Sequence, residues 1–233
     1  MKKHMIGVLL VFVFAGTAFA KEDQLEKANN VLNEIMRTPD KAIPNDLFEK
    51  AVCVGIVPSE IKGAFFVGGT FGRGVLVCRR HGDGPWGAPS LFSLGQGSVG
   101  FQFGGEATDV VFIVMNASGA RKLVQDEVKL GADASVAAGP VGRTGEGATD
   151  AELHAEILSY SRSRGLFAGV SLSGAVFKQD HDANKELYGR DVTAKEILLG
   201  GDVHRPPEAA PLDDSLAKYS PRGGHAFASL REQ

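Results

Sequence analysis

Two glycine-rich stretches carry residue types that serve nucleotide binding or catalysis in other proteins. Residues 95–100 match the G-x-G-x-x-G spacing of a dinucleotide-binding loop. Such a loop must end at a helix N-terminus, where free N–H groups meet the pyrophosphate, whereas this one runs into the apolar–polar alternation of a strand. Residues 169–174 resemble a nucleophile elbow, but the second glycine comes one position late and Ser171 lies within a predicted strand. The sequence therefore predicts neither a nucleotide site nor a nucleophile.

Acidic residues and histidines offer no better candidate for chemistry. Asp180, Asp182 and Asn184, followed by Asp191, have part of the spacing of a calcium loop. The sixth position is Lys185 instead of the required glycine, so an acidic turn that caps a helix is the alternative interpretation. The histidines are scattered, without the spacing of metal ligands. We expect no catalytic residue, no metal site and no cofactor.

The remaining pattern that could serve a function is electrostatic, and it is less specific than a catalytic motif. Arginine and lysine residues lie at the ends of predicted strands, beside aromatic residues that we expect to be exposed, such as Phe71 and Trp86. Such side chains can meet anionic headgroups, although ordinary solvated strand ends have the same composition. The basic residues concerned are Lys62, Arg73, Arg79, Arg80, Arg162 and Arg164.

The first element that must position these side chains is an amphipathic helix over residues 21–37, which Pro39 ends. Its apolar residues recur at helical spacing. This face either lies in a membrane interface or packs permanently against a sheet, and the pattern leaves both alternatives open. The apolar residues are Leu25, Ala28, Leu32, Ile35 and Met36.

Closely spaced strands with short turns follow a second, short helix that begins near Asp46. We predict strands over residues 52–57, 64–71, 75–80, 90–94, 98–103 and 108–115, then a helix over 118–127 and an irregular stretch over 131–150. A hairpin over 157–177 comes next, in which Leu166, Ala168, Val170 and Leu172 share the buried face. A closing helix has a Thr193–Glu196 capping box and ends at Gly200.

This order of elements predicts an α+β fold instead of repeated βαβ units. Glycine is abundant, at 30 of 233 residues, and many of these glycines lie inside predicted strands. Glycines within strands are typical of bends and close backbone packing. We therefore expect a curved antiparallel sheet or a small β-barrel, with flanking helices at both ends.

The ends of the chain read as an export signal and a tail. Residues 1–20 combine Lys2 and Lys3 with an apolar run and a small-residue cleavage pattern, so we predict a signal peptide, with an uncleaved anchor as the alternative. We expect a mature domain over residues 21–200 that is periplasmic or secreted and peripheral to a membrane. Residues 201–233 hold several prolines and few large apolar residues, which predicts a disordered tail.

The charge balance and the two cysteines give further expectations about the partner and about a disulfide. The chain has 25 Lys and Arg against 28 Asp and Glu, and loss of Lys2 and Lys3 makes the balance more acidic. This balance argues against a nucleic-acid partner, which requires a basic field. Cys53 and Cys78 each lie in an apolar run, and export favours a disulfide between them, with two buried thiols as the alternative.

Several motifs, in order along most of the mature chain, resemble the SYLF family. They are Ile56-Val57-Pro58-Ser59, Lys62-Gly63, Gly72-Arg73-Gly74-Val75-Leu76, Trp86-Gly87-Ala88-Pro89, Gln96-Gly97-Ser98-Val99-Gly100, Gly131-Ala132-Asp133-Ala134-Ser135, Gly139-Pro140-Val141-Gly142-Arg143, the stretch 160–174, and Tyr188-Gly189-Arg190. Gly87 departs from the family, which usually has serine after the tryptophan.

This resemblance implies a non-enzymatic lipid-binding module. Eukaryotic members bind phosphoinositides through an amphipathic N-terminal helix and basic residues, and some associate with actin. In an exported bacterial protein the expected partner is instead an anionic phospholipid surface. The alternatives are an envelope interaction protein without a lipid function, whose protein partner is unknown, and a carrier of a small apolar ligand. The predicted lipid-binding residues are Leu25, Lys27, Leu32, Ile35, Met36, Lys41, Lys62 and Arg73.

Overall fold

A computed structural model describes residues 19–37, 43–63, 69–97, 107–141, 154–163 and 166–221. Its strands are Cys53–Gly63 (β1), Gly69–Arg79 (β2), Trp86–Gly97 (β3), Ala107–Val114 (β4), Glu127–Lys129 (β5), Val136–Ala138 (β6), Ile157–Ser163 (β7), Leu166–Gly169 (β8) and Val176–Gln179 (β9). Its α-helices are Phe19–Met36 (α1), Asn45–Lys50 (α2), Ala117–Leu123 (α3), His181–Tyr188 (α4) and Ala210–Tyr219 (α5). The α+β prediction is confirmed.

The strands form one sheet in the order β5-β9-β3-β2-β1-β4-β7-β6, and β8 also pairs with β7. The strand pairs are antiparallel apart from β6 and β7, which are parallel. One face, which we call the outer face, packs against α1, α2 and α5. The opposite, inner face packs against α3 and against the π-helical turn Glu196–Gly200.

Aromatic contacts on the inner face show how strongly the sheet curves. The rings of Phe92 on β3 and Phe112 on β4 have centroids 5.7 Å apart, although two strands separate β3 from β4. In a flat sheet those strands would lie roughly 14 Å apart. Phe177 on β9 stacks on Phe92 at 4.4 Å. These rings fill the interior that a ligand carrier would have to keep open.

Two glycines of the central strands make this curvature possible. A Cβ atom on Gly55 of β1 would lie 2.1 Å from the Phe112 ring, and one on Gly74 of β2 would lie 2.4 Å from the Phe92 ring. At both positions the absence of a side chain therefore lets a ring pack directly against the strand backbone. This confirms the expectation that strand glycines mark close packing.

The prediction of two strands over 64–71 and 75–80 is wrong at its centre, because β2 continues from Gly69 to Arg79. Gly72 and Gly74 lie inside the strand instead of ending it, and Gly74 leaves room for the Phe92 ring. The predicted helix over 118–127 ends at Leu123, and β5 then pairs with β9. The predicted irregular stretch contains β6, and the predicted strand over 98–103 lies outside the described residues.

The predicted buried face of the late hairpin is also wrong. On β8 the side chain of Phe167 is buried, whereas Leu166 is 67% exposed and Ala168 is exposed. The physical reason is a stacked pair: the Phe167 ring lies 5.4 Å from that of Tyr160 on β7. Two aromatic rings bury more apolar area than leucine and alanine would. Leu172 is buried as predicted, but it lies beyond the end of β8.

The prediction of a disordered tail is wrong for the described part, which reaches residue 221. Helix α5 buries Leu212 and Leu216, four residues apart on one face, against the outer core that α1 also contacts. Its end is anchored where the Ser220 hydroxyl donates to the carbonyl of Phe48 at 2.8 Å. A few apolar residues are enough to hold this helix, because they pack against the outer core that the sheet and α1 already form. Residues 222–233 lie outside the described residues.

Cys53 and Cys78 face each other in the register of β1 and β2 and form a disulfide. Both are buried on the inner face. The predicted bridge is therefore confirmed, and it ties the first strand of the sheet to its neighbour next to the aromatic interior.

Candidate functional site

The apolar residues predicted to contact lipid lie in the core. Leu25, Leu32 and Ile35 are 1%, 0% and 2% exposed, and they pack on the outer face of the sheet. Met36 is partly buried against the same core. Of the two alternatives for the first helix, the structure has the one in which it packs on the sheet. In this conformation the apolar face of the helix is buried and cannot contact a membrane.

The predicted basic residues are separated by the fold. Lys27 is exposed on α1, and Arg73 on β2 has a side chain that is 67% exposed. The two are linked through Gln24, whose amide donates to the Arg73 carbonyl and which lies one helical turn before Lys27. Lys62 belongs to β1, but its side chain is not described, and Lys41 lies outside the described residues.

Arg79, predicted as a surface cation, is instead buried at 3% exposure. Its guanidinium donates to the carbonyl oxygens of Ala51 at 3.1 Å, Gly84 at 3.1 Å and Ser220 at 2.9 Å. It also lies 4.2 Å from the ring of Trp86, which is buried and not exposed as predicted. Burial lowers the pKa of Arg79. Arg79 therefore holds the end of α5 and cannot meet a ligand.

Arg162 likewise has a structural role. Its Nε and Nη2 donate to Asp109 on the neighbouring strand at 2.9 and 2.5 Å, and its Nη1 pairs with Glu34 of α1. Although burial opposes protonation, the hydrogen bonds to Glu34 and Asp109 raise the pKa of Arg162. This residue fastens α1 to the sheet. Arg164, the other basic residue of that hairpin, lies outside the described residues.

The sheet register brings together basic residues that the sequence keeps far apart. Arg73 on β2 pairs with Ser93 on β3, and Ser93 pairs with Lys178 on β9. Directly paired residues project from the same face, here the outer one. Arg73 and Lys178 are both exposed, because α1 and α5 leave this part of the outer face uncovered.

An apolar row lies beside this basic row. Phe71 pairs with Gly95, Gly95 with Val176, and Val176 with Lys129 on the edge strand β5. Phe71 is 56% exposed, as the sequence predicted, and Val176 is half-buried. We call the exposed members of this region the basic–aromatic surface. They are Lys27, Phe71, Arg73, Lys129 and Lys178.

Two acidic side chains moderate the charge of the basic–aromatic surface. Asp180 approaches Nε of Arg73 at 3.7 Å, and Glu127 faces Lys178 in the register. A third carboxylate, that of Asp133, accepts a hydrogen bond from the Lys129 N–H at 2.7 Å, so the cations around the exposed ring have acidic neighbours. The exposed cations of this region can attract anionic groups, and its exposed ring can lie at an interface.

Lys129 and Lys178 were missed because no motif marks them. Each follows a buried residue of a short strand, Val128 or Phe177, so alternation alone places them on the outer face. Their proximity to Arg73 depends on β9 pairing with β3, and that pairing joins residues about 85 positions apart.

The predicted acidic turn is a helix cap. Asp180 accepts a hydrogen bond from the Ala183 N–H at 3.1 Å at the start of α4, and Asn184 is buried against β3, where its side chain bonds both N–H and C=O of Leu91. Within the described residues no group of three or more His, Cys, Asp and Glu side chains is placed to hold a metal ion. No described helix is long and apolar enough to cross a membrane.

Comparison with known proteins agrees with the motifs. Residues 95–219 match the Ysc84 family, described as Las17-binding protein actin regulator. The chain is 37% identical over 193 residues to LAS seventeen-binding protein 3 of Saccharomyces cerevisiae, covering 79% of this chain and 41% of that protein. It is 34% identical over 224 residues to SH3 domain-containing YSC84-like protein 1 of Homo sapiens, covering 91% of this chain and 65% of that protein. It thus spans about two fifths of the yeast relative. The chain belongs to the Ysc84 family, which is the SYLF family that its motifs resemble.

Proposed function

We propose that this chain is a non-enzymatic domain that binds an anionic phospholipid surface through its basic–aromatic surface. The observation that carries the proposal is Phe71, an exposed ring on an uncovered sheet face, with Arg73 beside it and Lys178 two strands away. Aromatic rings are favoured at the boundary between headgroups and acyl chains. Each nearby cation adds about 1 kcal/mol of attraction to an anionic leaflet.

In this proposal α1 contributes its exposed flank and not its apolar face. Detaching α1 would expose Leu25, Leu32 and Ile35 and would break the contact between Arg162 and Glu34. Lys27 needs no such rearrangement, because it is already at the surface. We therefore expect binding to the folded domain without unfolding of the helix layer.

We further propose that the domain acts outside the cytoplasm, at a membrane facing the periplasm or the exterior. The predicted signal peptide over residues 1–20 is the main support. The Cys53–Cys78 disulfide adds to it, because disulfides persist mainly in oxidising compartments.

A protein partner is the alternative for the same surface. The relatives include one named LAS seventeen-binding protein 3, and the family description names actin regulation. Those are properties of other, longer proteins. In this chain an interaction role in the envelope would leave the basic–aromatic surface indifferent to lipid headgroups, which makes lipid binding the feature to test.

The test is co-sedimentation of protein beginning at Lys21 with vesicles of phosphatidylglycerol, cardiolipin or phosphatidylcholine, at low and high salt. We expect binding to the two anionic lipids that weakens with salt. Arg73→Ala with Lys178→Ala should weaken it roughly thirtyfold, from about 2 kcal/mol. The matched control is Arg121→Ala with Lys195→Ala, two exposed cations on the side of the inner face. Equal losses in both double variants, or no binding to any anionic vesicle, would refute the proposal.

A further inference from the structure

Strand β8 forms an exposed edge of the sheet and carries none of the usual protection against pairing with another strand. Its residues, Leu166–Gly169, include no charged side chain and no proline, and both Leu166 and Ala168 are exposed. The free N–H and C=O groups of an edge strand pair readily with a further strand, so edges normally carry charges, proline or a cover. An apolar, uncharged edge is therefore suited to an interaction.

The other strands at the margins of the sheet are protected. Strand β5 has three residues, and its exposed side chains, Glu127 and Lys129, are charged. Strand β6 also has three residues, and all of them are half-buried. Where β3 extends beyond β9, the side chains of Asn184 and Tyr188 bond its backbone. Among the described strands, β8 is thus the edge that lacks such a device.

The hydrogen-bond register shows which backbone groups of β8 point outward. The N–H of Val170 donates to the carbonyl of Ser159 at 3.0 Å, in the same register as the β7–β8 pairs. Since opposed residues of antiparallel strands alternate between bonded and non-bonded pairs, the first and third residues of β8 bond to β7. Phe167 and Gly169 therefore direct their N–H and C=O groups away from β7. No backbone group of the described residues bonds these outward groups.

We propose that β8 is a self-association edge, which pairs antiparallel with β8 of a second copy of this chain about a two-fold axis at Phe167. Phe167 then faces its own counterpart, and each donates its N–H to the other's carbonyl. This register keeps paired residues on the same face, as a sheet requires. It also places the large side chain of Leu166 opposite the small side chain of Ala168 from the other copy.

A second copy fits this edge because the edge is complementary to itself, as a two-fold interface must be. Strand β8 is uncharged, so the pairing brings no like charges of this strand together. Val141, which is 45% exposed, adds apolar surface nearby, since it follows two residues after Gly139, whose carbonyl lies against Gly169.

The area of this interface is small, because the strand has four residues. Interfaces that bury less than roughly 1,200 Å² in total are typical of transient complexes. We therefore expect a dissociation constant of about 100 µM. At the lower protein concentrations of a vesicle titration the chain is then monomeric, so self-association and lipid binding are separate properties.

The experiment is sedimentation velocity of lipid-free protein beginning at Lys21, at low and high salt, over concentrations of about 1 µM to 1 mM that bracket the expected constant. We expect a monomer–dimer equilibrium that salt changes little, because the paired strands are uncharged. Ala168→Lys places on β8 a charge of the kind that protects natural edges, and should raise the dissociation constant roughly tenfold. The matched control Ala217→Lys adds the same charge on the exposed side of α5 and should leave the constant unchanged. Unchanged melting temperatures show that both variants are folded.

Amide hydrogen exchange then locates the interface. The amides of Phe167 and Gly169 should gain protection with rising concentration, and Ala168→Lys should remove that gain. A monomer throughout the range, or equal effects of Ala168→Lys and Ala217→Lys, would overturn the proposal. Protection of both amides that is the same at every concentration would also overturn it, because the edge would then be covered within one chain. None of these outcomes bears on vesicle binding, which stands or falls by its own test.

Discussion

Strand β2 carries two arginines, six residues apart, whose surroundings differ completely. Arg79 lies beneath α5, where three carbonyl oxygens and the Trp86 ring surround its guanidinium. Arg73 lies where the helix layer ends, and its side chain is two-thirds exposed. The contrast shows that the helices above the sheet, and not the residue type, decide which charges are structural and which can meet a ligand. The same division separates the covered apolar face of α1 from the uncovered ring of Phe71.

The largest effect should come from placing a charge in the covered region. Leu32→Asp buries a carboxylate between α1 and the sheet, and we expect the free energy of unfolding to fall by about 4 kcal/mol. Asn30→Asp adds the same charge on the exposed side of the same helix and should change stability little. Urea denaturation measures both. A Leu32→Asp protein as stable as Asn30→Asp would mean that α1 is not packed on the sheet in solution.

A smaller but still large difference should separate the two arginines. Arg79→Ala leaves the buried carbonyl of Ala51 without its side-chain donor, and leaves that of Ser220 with only the longer bond from Trp86 Nε1. This should lower the free energy of unfolding by about 3 kcal/mol. Arg73→Ala removes an exposed side chain and should change it by less than about 0.5 kcal/mol. Thermal and urea unfolding of the two variants, each alone, give the comparison. Similar losses of unfolding free energy in both variants would mean that cover by the helices does not decide which arginine stabilises the fold.

Acid should destabilise the protein more through the partly buried Lys122–Glu156 ion pair than through an exposed pair. Although burial opposes it, hydrogen bonds from Lys122, Ser118 and the Ser135 backbone lower the pKa of Glu156 to about 2. A carboxylate with a lowered folded pKa stabilises the protein above its ordinary pKa of 4.5, and that stabilisation is lost as the pH falls from about 4.5 towards 2. Melting temperatures of wild type and Glu156→Gln should therefore differ at pH 7 and converge near pH 2. Lys185 and Asp191, an exposed pair, supply the control through Asp191→Asn, whose effect should be small at every pH.

Much of the fold was predictable because its signals are local. Alternation located most of the strands, Thr193 and Glu196 form the predicted capping box, and Cys53 forms the predicted disulfide with Cys78. The errors arise where a distant partner decides. Phe167 is buried because Tyr160 lies opposite, and α5 exists because α1 and Arg79 provide its surface.

The candidate site was predictable only in part, for the same reason. Arg73 and the exposed Phe71 were identified from the sequence, and both belong to the basic–aromatic surface. Lys178 and Lys129 join them through the pairing of β9 with β3 and with β5, which no local pattern encodes. The sequence could not decide what the apolar face of α1 contacts, because amphipathicity looks the same whether the partner is a membrane or a sheet.

The smallest expected change in stability accompanies a clear change in binding, at Phe71. Phe71→Ser removes a ring that is more than half exposed, so the free energy of unfolding should change by less than about 0.5 kcal/mol. If that ring enters the headgroup boundary, its loss should cost about 1 kcal/mol of vesicle binding, roughly fivefold in affinity. Leu166→Ser is the matched control, since Leu166 is comparably exposed but projects from the opposite face of β8 to Phe167. Vesicle titration should show a loss for Phe71→Ser alone. An equal loss of vesicle affinity in both variants would mean that exposed apolar area anywhere on the protein promotes binding. The uncovered part of the outer face would then not be a specific binding surface.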